Sequence, residues 1–220
     1  MFDVLPFNHL VNIAVIIAIL ALSVAAHEAM HGFVAHKLGD DTAALEGRLT
    51  INPLKHIDPL MTIVLPAVLL LIGSSPIFVA KPVPIDSRRL KYDEFGMALV
   101  GLAGPATNLA LAVLAAIIAK LSGVALFVVG AGIQASTVGL LFFTFISINV
   151  ALFVFNMIPF PPLDGSRLLY AFAPDPVRRV MEQIEGMGIL VILVLLFALS
   201  NLILPIIGNI SSFIITFLLR

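Results

Sequence analysis

The sequence predicts an all-α polytopic membrane protein. It should have about five to six transmembrane helices, a re-entrant or broken segment at 59–80, and short β elements near a polar site. Three observations carry this. Of the 220 residues, 60% are hydrophobic and only 11% are charged, with a mean hydropathy of +1.14; a soluble domain is about half apolar and a quarter charged. Several apolar runs reach the roughly 20 residues that a helix needs to cross a bilayer. Finally, the stretch "SVAAHEAMHGFVAHKLGD", 23–40, sets His27, Glu28 and His31 at the end of such a run. Ionisable groups at membrane depth are costly and mark a working site.

The first span is read at about 10–36. Its apolar centre and small residues before His27 resemble a secretory signal, but the leader carries Asp3 and no Lys or Arg. The apolar run is also long for a signal core, so the segment is expected to stay and span. Further spans follow at about 96–119, 136–158 and 186–204, with a shorter apolar segment at 206–219 after Pro205. The stretch 59–80 is apolar too, but Pro59, Pro66, Pro76 and "GSS" interrupt it, and proline removes a donor and breaks or kinks helices. It could cross fully or re-enter. If it returns to its starting side and both last segments cross, eleven of the twelve Lys and Arg share one face, with Lys120 alone opposite. Basic loops face the cytoplasm, which favours that arrangement and places the charged loops inside. "TAALEGRLTINPL" (42–54) and "KPVPID" (81–86) carry β-formers and prolines and read as short extended elements, with proline suited to an edge strand.

The formal net charge is −1 and no basic stripe is present, so nucleic acid is excluded as a partner. The chain has no cysteine, which removes disulfides, thiolate metal sites and a cysteine nucleophile.

"HEAMH" has the spacing H-E-x-x-H. On a helix, positions four apart share a face, so His27 and His31 can offer imidazole nitrogens to one ion while Glu28 projects beside it. Zinc suits two neutral imidazoles plus a third protein ligand, with one position left for water. A chance five-letter match is the plain alternative, weakened by the cost of burying these groups without a partner. Asp164, in "FNMIPFPPLDGSRLL", is the candidate third ligand. On its own it reads equally as a turn or helix-capping residue. If 59–80 does not cross, spans 10–36 and 136–158 end on the same face, and Asp164 reaches the depth of the histidines. Asn156 could bond a neighbouring helix backbone. Gly104 and Ala110 in the segment 96–119 suggest close helix packing, and Asn108 beside them could also reach a substrate or an extended strand. His9, His36 and His56 read as interfacial or solvated and are left out of the metal site.

The motifs "HEAMHGFVAHKLGD", "GRLTINPLKHIDPLMT", "AKPVPID", "GLAGPATNLALA" and "FNMIPFPPLDGSRLL", in order over about 20–172, resemble the site-2 protease family of intramembrane zinc metalloproteases. The closest likeness is to its compact bacterial and archaeal members without a PDZ or CBS domain. The resemblance implies one Zn2+ per chain held by His27, His31 and Asp164, with Glu28 as catalytic base and Asn156 holding the substrate carbonyl. It implies a single domain over 1–220, with a catalytic core at about 10–172 and C-terminal helices at 186–219. It also implies a prokaryotic cell-membrane location and substrates that are transmembrane proteins or peptides, often shortened by an earlier protease. A β element beside the site, expected at 42–54 and 81–86, would bind substrate in extended form. The rival reading is a metal-binding membrane transporter, for which intramembrane His and Asp are equally natural.

Overall fold

The computed structural model describes residues 5–56, 81–124, 126–129, 132–188, 190–191, 194 and 200–220. The expected broken segment at 59–80 lies outside them.

Helix α1 runs His9–Lys37. Its start follows from Asn8, whose side chain accepts a hydrogen bond from the Val11 amide at 3.0 Å, satisfying one of the free donors of the first turn. His36 and Lys37 fill the last turn, where cations complement the helix dipole. After the short helix α2, Thr42–Leu45, comes a 3-10 turn at Pro53–His56. Helix α3 covers Asp93–Leu121. A hairpin of β1, Leu126–Val129, and β2, Gly132–Ala135, follows, antiparallel with Leu126 opposite Ala135. Helix α4, Thr137–Asn156, starts on Ser136, whose hydroxyl caps the Gly139 amide. A proline-rich connector leads to α5, Gly165–Phe172, α6, Asp175–Gly186, and α7, Ser200–Leu219.

Three of these helices are long and apolar enough to cross a membrane: Leu10–Lys37, Asp93–Leu121 and Thr137–Asn156, with Ile203–Leu219 a shorter apolar stretch. They match three expected spans within a few residues. The C-terminal expectation needs correcting. Pro205 does not separate two segments there; it lies inside α7, so residues 200–204 belong with the stretch 206–219.

The two expected extended elements are not strands either. Within 42–54 the backbone turns into α2, because the buried Asp40 carboxylate accepts from the Thr42 amide (3.0 Å) and hydroxyl (2.5 Å). Such local side-chain bonds compete directly with sheet ladders. Residues 81–86 are irregular. Pro82 and Pro84 have no amide hydrogen to donate, and the Val83 and Asp86 amides are taken by the side chains of Glu28 and Asp40. Among the described residues the strands are instead the α3–α4 hairpin.

Helix α3 is the hub, packed against α1, α4 and α5. Ala112, Ala115 and Ala116 on α3 meet Ile146, Val150 and Val154 on α4. Small side chains let helix backbones approach where lipid offers no hydrophobic drive between helices. Near the other end, Val100 of α3 packs with Ala35 and Leu90. At the polar surface, α5 and α6 are tied by a short Arg167–Glu185 ion pair, and Arg178 reaches Glu94 of α3 at 2.9 Å. This brings the start of α5, and hence Asp164, onto α3.

Candidate metal centre

Helical spacing builds the site from two facing stripes. Ser23, His27 and His31 repeat every four residues on α1, and Val100, Gly104 and Asn108 do the same on α3, so each set shares a face. The stripes run antiparallel: His31 Nδ1 lies 2.7 Å from the Val100 carbonyl, and His27 Nδ1 lies 2.6 Å from Asn108 Oδ1. Gly104 sits between them. A Cβ at that position would fall 2.4 Å from His31 Nε2 and 2.5 Å from His27 Nε2, so only glycine leaves the space that both nitrogens face.

Asp164 closes the third side. It is the last residue of the connector between α4 and α5, and its Oδ2 is 2.9 Å from His27 Nε2 and 3.3 Å from His31 Nε2. The structure therefore brings His27, His31 and Asp164 together, with one ligand atom of each within 4.8 Å of the others. Both histidines are buried and Asp164 is half-buried.

The protons on these rings follow from their partners. A backbone carbonyl only accepts, so His31 must donate through Nδ1 to Val100. The Asn108 amide nitrogen is committed to Asn149 Oδ1 and the Ser23 carbonyl, so its oxygen is the atom presented to His27, which must donate likewise. In the neutral rings both Nε2 atoms are then bare, 3.0 Å apart, and they face a carboxylate oxygen that accepts no hydrogen bond although it is buried. Three lone-pair atoms converge on a pocket that glycine keeps open. Uncompensated, that arrangement is repulsive; a cation among them makes it favourable, and two imidazoles plus one carboxylate is a donor set that suits zinc.

Glu28 is half-buried and points to a different neighbour. Its Oε2 accepts from the Val83 amide at 3.0 Å. The 81–83 segment is pinned in turn by Arg48, a buried residue whose Nη2 donates to the carbonyls of Lys81 (2.8 Å) and Pro82 (3.3 Å). Asn156, the last residue of α4, donates from its amide to the Leu152 carbonyl at 3.0 Å and has no described hydrogen bond to the triad. His56, read from sequence as solvated, is buried; its Nε2 lies 2.8 Å from the Thr50 carbonyl. His36 is exposed and paired with Asp41.

The profile of Peptidase family M50 matches residues 119–199, a stretch that includes Asp164. A Bacillus subtilis (strain 168) protein named "Putative zinc metalloprotease YwhC" is 40% identical over 179 residues, covering 80% of this chain and 77% of its own. The chain belongs to peptidase family M50. A Mycolicibacterium smegmatis relative, Rip2, bears the same description and is 29% identical over 191 residues, or 87% of this chain and 70% of its own. Rip2 of Mycobacterium tuberculosis (strain H37Rv) is 28% identical over 188 residues, covering 83% and 66%. No solved structure matches this M50 peptidase at a significant level.

Sequence reasoning missed several supports of this peptidase site. Gly104 reads as packing and Asn108 as packing or a reach to substrate, yet the first vacates the pocket and the second contacts a histidine. Ser23, Asn149, Val83 and Arg48 were not singled out. The usable signal was the four-residue register shared by Ser23 with the histidines and by Asn108 with Gly104.

Proposed function

We propose that this M50 peptidase is an intramembrane zinc metalloendopeptidase whose single zinc is held by His27, His31 and Asp164. It hydrolyses peptide bonds of membrane-protein substrates within or near their transmembrane segments. The observation that carries the reading is the convergence of three lone-pair atoms, supplied by α1 and the α4–α5 connector, on the pocket beside Gly104. When bound there, zinc supplies Lewis-acid polarisation of the scissile carbonyl and lowers the pKa of water toward about 7.

The chain's own residues supply the rest. Glu28 is the general base: it takes the proton of the attacking water and delivers it to the leaving amine. The Val83 amide orients its carboxylate through Oε2. Asn156 donates to the developing oxyanion; one of its two amide hydrogens is engaged with the Leu152 carbonyl, which leaves the other for the substrate. A scissile bond inside a helix is hidden by the helix's own hydrogen bonds, so the substrate unwinds locally and needs replacement partners. From the 81–86 segment those partners are backbone carbonyls, which accept from the amides that the unwound substrate exposes. The segment's own Lys81, Val83 and Asp86 amides already have acceptors and its two prolines have no amide hydrogen.

The catalytic core is assigned to about 10–172 and the C-terminal helices to 186–219, within one domain over 1–220. The protein is multi-pass, with five to six spans in a prokaryotic cell membrane and its charged loops on the cytoplasmic side. Membership in a peptidase family leaves the transporter reading without support. The deciding measurement compares wild type with Glu28→Gln in detergent, by zinc content and by cleavage of transmembrane peptides. Zinc should stay near one per chain while turnover drops by about 10²–10⁴-fold. Full activity in Glu28→Gln would refute the assignment of the base.

A further inference from the structure

Neutral histidine has two tautomers, and only the one protonated at Nδ1 leaves Nε2 free for a metal. His31 needs no help to choose, because the Val100 carbonyl can only accept. His27 is different. Its Nδ1 faces an amide side chain, Asn108, which could present either oxygen or nitrogen. Turned around, Asn108 would donate to Nδ1, move the ring proton to Nε2 and block the ligand position.

Two further buried residues remove that freedom. Asn108 Nδ2 donates to Asn149 Oδ1 at 3.0 Å and to the Ser23 carbonyl at 3.3 Å. Asn149 is itself held in one orientation, because its Nδ2 donates to the Phe145 carbonyl and to Ser23 Oγ, both at 2.9 Å. The carbonyls of Ser23 and Phe145 belong to helices α1 and α4 and accept only. They impose one direction on the whole relay. Reversing Asn108 would set its oxygen against Asn149 Oδ1 and against the Ser23 carbonyl. Asn108 and Asn149 are fully buried and Ser23 is 1% exposed, so bulk water cannot rescue a reversed amide.

We propose that Asn149, braced by Ser23, is a positioning residue that acts through Asn108 to lock His27 in the metal-binding tautomer. This rests on the zinc reading above, and it assigns polar groups from three membrane-length helices to one task. Outer partners of metal-binding histidines fix tautomer and ring orientation, and their loss costs about 10–100-fold in metal affinity.

The test reads the tautomer directly, by nitrogen NMR of 15N-histidine-labelled metal-free protein at mildly alkaline pH, alongside zinc affinity by chelator competition. In wild type both His27 and His31 should carry their proton on Nδ1. In Asn149→Leu, which removes the acceptor for Asn108, His27 should populate the Nε2-protonated form and zinc affinity should fall about 10–100-fold, while His31 keeps its tautomer and reports an intact fold. Asn149→Asp keeps an acceptor toward Asn108 while giving up the donors to Ser23 and Phe145, so His27 should retain its tautomer. A merely structural role predicts that Asp and Leu do equal harm. An unchanged His27 tautomer in Asn149→Leu overturns the proposal, as does a lost one in Asn149→Asp if the Leu variant fails to fold. A wild-type protein that binds no zinc, yet shows these tautomers, would instead overturn the metal assignment.

Discussion

His27 and Glu28 are neighbours in the chain, yet the two halves of the site are held by different kinds of structure. The metal-facing half is gripped between long helices. His27 and His31 lean on α3 through Asn108 and Val100, Gly104 vacates the space in front of them, and Asp164 arrives from the end of α4. The Glu28 half is held by an irregular segment, with Val83 on the carboxylate, Arg48 behind it and Asp40 at its far end. Helix positions are set by packing along many residues and move little. A loop held by a few side-chain bonds can yield to a substrate strand. In the proposed function, the rigid half is the one assigned to the ion, and the irregular segment is the one that orients the base carried by α1.

This contrast can be broken from either side. The largest effects belong to the rigid half. Asp164→Ala removes one of three ligands, and zinc per purified chain, measured by metal analysis, should fall from about one toward zero. Gly104→Ala should do nearly the same without touching a ligand, because its methyl would occupy the space 2.4–2.5 Å from both Nε2 atoms. A Gly104→Ala protein with normal zinc content would show that the helices can separate there.

Next comes the loop half. Arg48→Met leaves the Lys81 and Pro82 carbonyls without their donor, loosening the segment that aims Glu28. Zinc content should be unchanged while kcat falls by roughly 10–100-fold, the scale expected for a misplaced catalytic group. Loss of zinc in Arg48→Met would mean that the two halves are not separable.

The smallest effect concerns the far anchor. Burial of Asp40 works against its charge, but hydrogen bonds from Thr42 and from the Asp86 amide outweigh it and hold its carboxyl below the ordinary value. A depressed folded pKa stabilises the protein at pH above about 3.9, the unfolded value, and that contribution fades as pH falls through the folded pKa. Thermal melts of wild type and Asp40→Asn should therefore differ most near neutrality and converge in acid.

How much of this could be read beforehand differs between the same two halves. H-E-x-x-H at the end of an apolar run announces its metal because the spacing is local and helical. Asp164 needed a topological argument, since nothing in "PLDG" distinguishes a ligand from a turn. The roles of Asn108 and Gly104 were hidden because a small-residue stripe and a polar residue in a span look alike whether they pack helices or frame a site. The extended reading of 42–54 and 81–86 failed for a related reason: β-propensity is a weak preference, and here Asp40, Glu28 and Arg48 supply from elsewhere the partners that a sheet would have given.

Composition and local spacing alone determined that this chain lives in a membrane, that its spans are helical, and that His27, Glu28 and His31 share one turn of one helix. Those properties depend on hydropathy and on a repeat of 3.6 residues, which every segment carries within itself. Only tertiary structure decided that a carboxylate more than a hundred residues away lies beside the two imidazoles, that a glycine opposite leaves the space before them open, and which nitrogen of each ring faces a neighbouring acceptor. Hydrogen-bond direction and close approach between helices are properties of pairs of distant residues, and no single segment encodes them.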